Sequence, residues 1–163
     1  MNLSEITLYN SIFYGLCLDE ANLTGAKLER ITLSGTSLKK AQITHAILNN
    51  AKLAECDFKY ASLRRSSLVG ANLENADLME ADFSHTDLHH ANLTYANLDG
   101  ADFRNANLDD VKFQGAIYTE DTHFDDYFNP EAHGMKCIRN GNPLESADHH
   151  LFNKRQHLQQ HTS

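Results

Sequence analysis

The chain has 163 residues, 41% of them hydrophobic, with two prolines and no tryptophan, enough for one domain with its own core. Its formal net charge of −8 is unevenly spread: residues 1–65 carry eight Lys/Arg and six Asp/Glu, residues 66–120 two and ten, residues 121–163 four and six. The balance excludes duplex nucleic acid as a direct ligand of the second half, since phosphate binding needs a basic surface, and no apolar run approaches the ~18 residues of a membrane span. Because the repeat described next starts at Met1, no secretory leader is expected. Cys17, Cys56 and Cys137 form no CxxC pair and are odd in number, so neither a zinc ribbon nor a disulfide framework is expected, and the expected location is cytoplasmic.

From Leu3 to Tyr118 every fifth residue is large and apolar: seventeen Leu, five Phe, Ile43 and Tyr118. A period of five is neither helix nor strand. The position two before the large residue is Ala in fourteen of the twenty-four blocks and small or apolar in the others, and a spacing of two puts both side chains on one face of a short extended piece. The rest of each block must turn the chain. Gly15, Gly25, Gly35, Gly70, Gly100 and Gly115, with Asn10, Asn50, Asn75 and Asn105, hold the fifth position; Gly and Asn tolerate the positive φ of tight turns. No proline interrupts residues 1–120, so every N–H is free to pair with the next coil. The first four blocks are irregular: Met1, Ile6, Ser11 and Leu16 stand where Ala recurs, and Thr7, Ile12 and Cys17 replace Asp or Asn. This end is expected to be the looser one, with no segment covering it.

Blocks such as Ala71-Asn72-Leu73-Glu74-Asn75 and Ala76-Asp77-Leu78-Met79-Glu80 resemble the pentapeptide-repeat proteins over residues 1–120. The resemblance implies an all-β fold, a right-handed quadrilateral β-helix with twenty residues per coil. Six coils at ~4.8 Å between strands make a rod of roughly 29 Å. It also implies that the Asp and Asn of the second block position serve the coil through hydrogen bonds near the turns.

An open solenoid end needs a cover. Residues 121–136 are expected to supply a short helical cap: Phe124, Tyr127 and Phe128 lie at helical spacing as an aromatic lid, and Asn129-Pro130 reads as a helix start. Residues 137–163 form a polar, His-rich tail, helical or disordered, with a second helix start at Asn142-Pro143-Leu144-Glu145. Leu144, Leu151 and Leu158 are spaced by sevens, a stripe for a second subunit or for the lid.

Candidate sites lie on outward positions. Subtracting the second-position acids Asp77, Asp82, Asp87 and Asp102 from the acidic second half leaves Glu74, Glu80, Asp99, Asp109, Asp110 and Glu120. Of these, Glu74, Glu80, Asp99, Asp109 and Asp110 are candidate protein-binding residues. Lys39, Lys40, Lys59, Arg64 and Arg65 would cluster under twenty-residue stacking, as an ordinary charged surface or a dock for an acidic partner, with Asp19 partly neutralising Lys39. His85, His89 and His90 fall near Asp109 and Asp110, but no HExxH or closed ligand set appears, so a solvated face is expected and no metal or cofactor. Cys56 replaces Ala at an inward position and reads as a small buried apolar group; Cys17 reads as outward.

No nucleophile–base pair or phosphate-cradling glycine loop stands out, so an enzyme is not expected. The expected function is a non-catalytic scaffold presenting a rigid surface to a protein partner, as a monomer or a homodimer joined at its C-terminal ends. Alternatives are a DNA-mimic modulator or protector of DNA gyrase or topoisomerase, which the resemblance brings in, and a metal- or redox-responsive binding protein using the His tail and Cys17.

Overall fold

The computed structural model describes residues 1–139 and 142–143; the leucine stripe and the tail histidines lie outside them. The chain is a β-helix solenoid. Parallel backbone bridges join residues twenty apart, from Asn2↔Asn22 to Asn97↔Ile117, so four five-residue sides make one level of the rod. The bridging residue is the second of each block. Asn72, for example, donates its N–H to Ala51 O at 2.9 Å and accepts from Leu53 N at 2.7 Å. We number the sides from the N-terminus: the first holds residues 1–5, 21–25 and so on, the fourth 16–20, 36–40 and so on.

A turn separates the sides. Ala76 N–H bonds to Leu73 O at 3.0 Å with Asn75 at φ 57, the positive φ of a type II turn. Every fifth residue from Glu5 to Gly115 has positive φ, including Tyr60 and Arg65. The glycines and asparagines marked the position, but the coil imposes the conformation on any residue there. The cost, roughly 1–2 kcal/mol per non-glycine residue, is offset by hydrogen bonds between levels, such as Glu80 N–H to Asp99 O at 2.7 Å.

Second-position Asp and Asn side chains secure the corners, as the family resemblance implied. Asn72 Oδ1 accepts from Glu74 N–H at 3.1 Å and from Asn92 Nδ2 of the next level at 3.1 Å. Where Ser67 replaces them, Asn49 of the level beneath takes over, accepting from Val69 N–H at 3.0 Å and from the Ser67 hydroxyl at 2.6 Å. First- and third-position side chains fill the interior, and from Ala21 to Ala101 nearly all are sealed from solvent.

Beyond Glu120 the structure departs from expectation. The repeat does not dissolve there; it slips by one residue. Asp102 bridges His123, and Thr122-His123-Phe124 takes the places of a further block, with Thr122 buried and its hydroxyl bonded to Leu98 O at 2.8 Å. In place of a helical cap there is one 3-10 turn, Glu131–His133, whose N–H groups at Glu131 and Ala132 reach Asn129 Oδ1 at 3.1 and 3.2 Å. Asn129 therefore caps as its sequence position suggested, but Gly134 in the left-handed region ends the turn before a helix develops. A three-stranded sheet follows: β1 (Ile117–Tyr118) pairs parallel with β2 (Lys136–Arg139), which pairs antiparallel with β3 (Asn142–Pro143). Strand β2 crosses the boundary expected at residue 136, and Asn142-Pro143 is strand instead of a helix start. Met135 and Cys137 point inward and are buried.

The aromatic lid exists without the helix. Phe83, Phe103 and Phe124 stack at centroid separations of 5.2 and 5.4 Å. Phe124 continues to Phe128 at 4.7 Å, and Phe128 to the His133 ring at 4.5 Å. Tyr127 is not part of it: the ring is 87% exposed, and its hydroxyl donates to Asp125 Oδ2 at 3.1 Å.

Candidate interaction surfaces

The basic candidates fall on two sides and are partly spent on ion pairs along the rod's own surface. Lys39 Nζ lies 3.3 Å from Asp57 Oδ2, Lys59 Nζ 2.8 Å from Asp77 Oδ2, and Arg64 NH1 3.9 Å from Asp82 Oδ2. The Asp77 carboxylate beside it holds the Lys59 ammonium above its ordinary pKa. Lys40 and Arg65 occupy corners at φ 56 and 57. Asp19 meets the backbone N–H of Lys39 at 3.0 Å and the Ser37 hydroxyl at 2.5 Å; the Ser37 bond, more than Lys39, draws its pKa down against the opposing effect of burial. Solvated pairs of this kind add little to stability.

The acidic candidates divide among three sides. Glu74 is on the third, Glu80 and Asp99 on the fourth, Asp109 and Asp110 on the second. Asp99 Oδ1 accepts the Thr119 hydroxyl at 2.7 Å.

The second side carries the most developed surface. Among the described residues Asn107 has no bridge above it, because the chain beyond Phe124 leaves this side to form the 3-10 turn. Among the described residues nothing pairs with Leu108 N–H or Ala106 C=O, and both residues are half-exposed. Over this bare edge lies a cleft of about 470 Å³ walled by Asp109, Asp110, Asp125, Tyr127, Phe128 and His133. Asp109 and Asp110 were foreseen as outward acids. Asp125 and the open edge were not: Asp125 is placed by the slip after Tyr118, whose only trace in the sequence is that Thr122-His123-Phe124 repeats the block pattern one residue late, and the edge opens where the chain leaves the coil beyond Phe124.

The corner beneath brings His89, His90 and Asp110 together, their donor atoms all within 4.8 Å of one another. His90 Nδ1 is 3.7 Å from Asp110 Oδ2, and His89 Nδ1 is 3.2 Å from Asp109 O. Zinc ligands sit ~2.0–2.2 Å from the ion, so these groups, His89 half-buried and the other two exposed, would have to draw together to hold one. His85 stays at the preceding corner. Cys17 is exposed; Cys56 and Cys137 are buried. Burial pushes both buried thiols up to about 11, far from the thiolate a nucleophile needs, and the Cys56 thiol donates to Leu33 O at 3.0 Å.

The sequence profile of pentapeptide repeats matches residues 17–53, 56–94 and 86–117 in eight copies. Among solved structures, the chain is similar to QnrB1, a plasmid-mediated fluoroquinolone resistance protein, at 18% identity and a TM-score of 0.54, covering 95% of this chain and 90% of that one. It is also similar to a pentapeptide repeat protein from Nostoc (28% identity, TM-score 0.46, 75% and 84% covered) and to one from the Arabidopsis thaliana thylakoid lumen (33%, 0.39, 69% and 71%). No curated protein sequence matches the chain.

Proposed function

The chain belongs to the pentapeptide-repeat family, and we propose that it is a non-catalytic scaffold, residues 1–120 forming six coils of a right-handed four-sided rod, which binds a basic protein segment in the cleft on its second side. The observation that carries this reading is the bare backbone edge at Ala106–Leu108 beneath three carboxylates, Asp109, Asp110 and Asp125. An extended peptide adding a strand there gains main-chain hydrogen bonds, and the carboxylates select for Lys and Arg and speed encounter. The protonated buried thiols are poor nucleophiles, in keeping with a family of scaffolds, and three free cysteines suit a cytoplasmic home. The test is fluorescence anisotropy with extended lysine-rich peptides against the wild type and the D109N/D110N/D125N triple variant. Binding should weaken at least tenfold in the variant and fall steeply with salt. Equal affinity for both proteins, or no binding at millimolar peptide, removes the reading.

A second reading, a DNA-mimic modulator of DNA gyrase, draws on the fourth side, where Asp77 and Glu80 share one level and Asp99 and Glu120 stand on the next two, ~4.8 Å per level. The fluoroquinolone resistance described for QnrB1 belongs to that protein, and the likeness at 18% identity speaks for the shared fold. A gyrase supercoiling assay with and without quinolone decides: unchanged activity at micromolar protein ends this reading.

A further inference from the structure

The opposite end of the rod, residues 1–20, is built unlike any other level. No side chain from Ile6 to Leu18 is charged. Met1, Tyr9, Ile12, Tyr14 and Leu16 are exposed, five of the eight large apolar residues that are so among the described ones. Inward residues such as Leu3, Leu8 and Phe13 are only partly buried, and they line an apolar recess of about 310 Å³. Contiguous apolar surface of this kind marks an interaction site.

The backbone specifies what fits. At higher levels the second residue of a block turns both its N–H and its C=O toward the level beneath: Asn22 donates to Met1 O at 2.9 Å and accepts from Leu3 N at 2.7 Å. At the first level the same groups of Asn2, Thr7, Ile12 and Cys17 point out of the end and have no partner among the described residues. A residue offering both groups on one side is what each half of a hydrogen-bonded antiparallel pair supplies. A lipid surface has no matching row of donors and acceptors. A second copy of the same end does, because an interface about a two-fold axis is self-complementary.

The pitch selects the register. The end is a step, not a plane, since the backbone climbs one strand spacing of ~4.8 Å over the first level. Two such steps fit when the lowest side of one copy meets the highest of the other: first against fourth, second against third. Asn2 then faces Cys17 and Thr7 faces Ile12, in one unbroken antiparallel register. The charges agree with it. The uncharged second and third sides meet each other, and Glu5 falls opposite the exposed Tyr14, whose hydroxyl is a donor for its carboxylate. We propose that residues 1–20 pair antiparallel with the same residues of a second copy, giving a two-fold dimer joined at its N-terminal ends, with the acidic clefts free near its two far ends.

Sedimentation equilibrium on the full chain should give twice the 18.3 kDa monomer mass. Ile12→Pro, which removes an outward N–H where an edge strand tolerates proline, should return the monomer mass with an unchanged circular dichroism spectrum. Asn2→Cys sets a new thiol against Cys17 of the second copy, at the ~5.5 Å Cα separation of such a pair, inside the disulfide range of about 4.4–6.8 Å. Mild oxidation with oxidised glutathione, which takes up the two electrons, should therefore yield a covalent dimer linked between positions 2 and 17. Thr7→Cys, which faces Ile12, should not yield a bond to position 17. A monomer up to near-millimolar concentration overturns the proposal. So does a dimer indifferent to Ile12→Pro, or a disulfide linking position 7 to 17 as readily as 2 to 17.

Discussion

Replacing Phe103 with alanine removes the ring that joins Phe83 to Phe124 in the aromatic stack. Phe103 is fully buried, 5.2 Å from Phe83 with planes 15° apart and 5.4 Å from Phe124 at 8°. A buried Phe→Ala change costs roughly 3–5 kcal/mol, and the stacked geometry places this one toward the upper value. For a chain of this length each kcal/mol lowers Tm by about 2–4 °C, so Phe103→Ala should lower it by roughly 10–20 °C. Phe124→Ala also removes two stacking contacts, to Phe103 and Phe128, but from a partly exposed ring, and should cost less, roughly 1–3 kcal/mol. In a solenoid each level touches only its neighbours, so the damage should be local. Hydrogen exchange should quicken first at amides of residues 81–85 and 101–105, with the first two levels unchanged. Thermal melts and exchange mass spectrometry on the two variants provide the check. A Phe103→Ala Tm within ~3 °C of wild type, or a larger loss from Phe124→Ala, would refute the reasoning.

The cysteines should titrate with Ellman's reagent at pH 8 as one fast thiol, Cys17, with Cys56 and Cys137 reacting only after denaturation; two fast thiols would contradict the burial that holds the others near 11. Burial pushes the Asp102 carboxyl up, but the side-chain and backbone N–H groups of Arg104 outweigh it and keep the carboxyl below the usual range, with Arg104 Nε and NH2 at 2.9 and 2.6 Å. Because the folded pKa is depressed, this contribution is complete above the unfolded value of about 3.9 and disappears as pH falls through the folded value. Urea midpoints of wild type and Arg104→Gln should therefore differ modestly at neutral pH and converge in acid; a difference constant with pH would count against the pairing.

The legible parts of this protein were the local ones. The five-residue register placed Ala71 and Leu73 inward, the fifth position at the turn and Cys56 in the core, because alternation along a short extended piece is a property of adjacent residues. The Asp and Asn roles at the corners came from the family resemblance instead, and the Asn72 bond to Glu74 N–H bears them out. The candidate sites were harder. Lys39, Lys59 and Arg64 were expected to cluster, but their pairing with Asp57, Asp77 and Asp82 depends on which residues stand one level up. The lid was foreseen in Phe124 and Phe128 yet assigned to a helix, because helical spacing also fits rings that stack over the end of a coil. Tyr127 shared that spacing and points to solvent.

By itself, then, the sequence determined the side-chain alternation, the corners and the composition of the core, all set within five residues by sterics and burial. Only the tertiary structure decided how levels stack. That choice fixes the slip at Thr122 and the departure of the chain beyond Phe124, which leaves the second side without a covering strand among the described residues and brings Asp109, Asp110 and Asp125 around the cleft. It also turns the irregular first blocks into an apolar end with outward-facing N–H and C=O groups. Both outcomes depend on contacts twenty residues apart or across a chain end, where no local spacing records which group will be left without a partner.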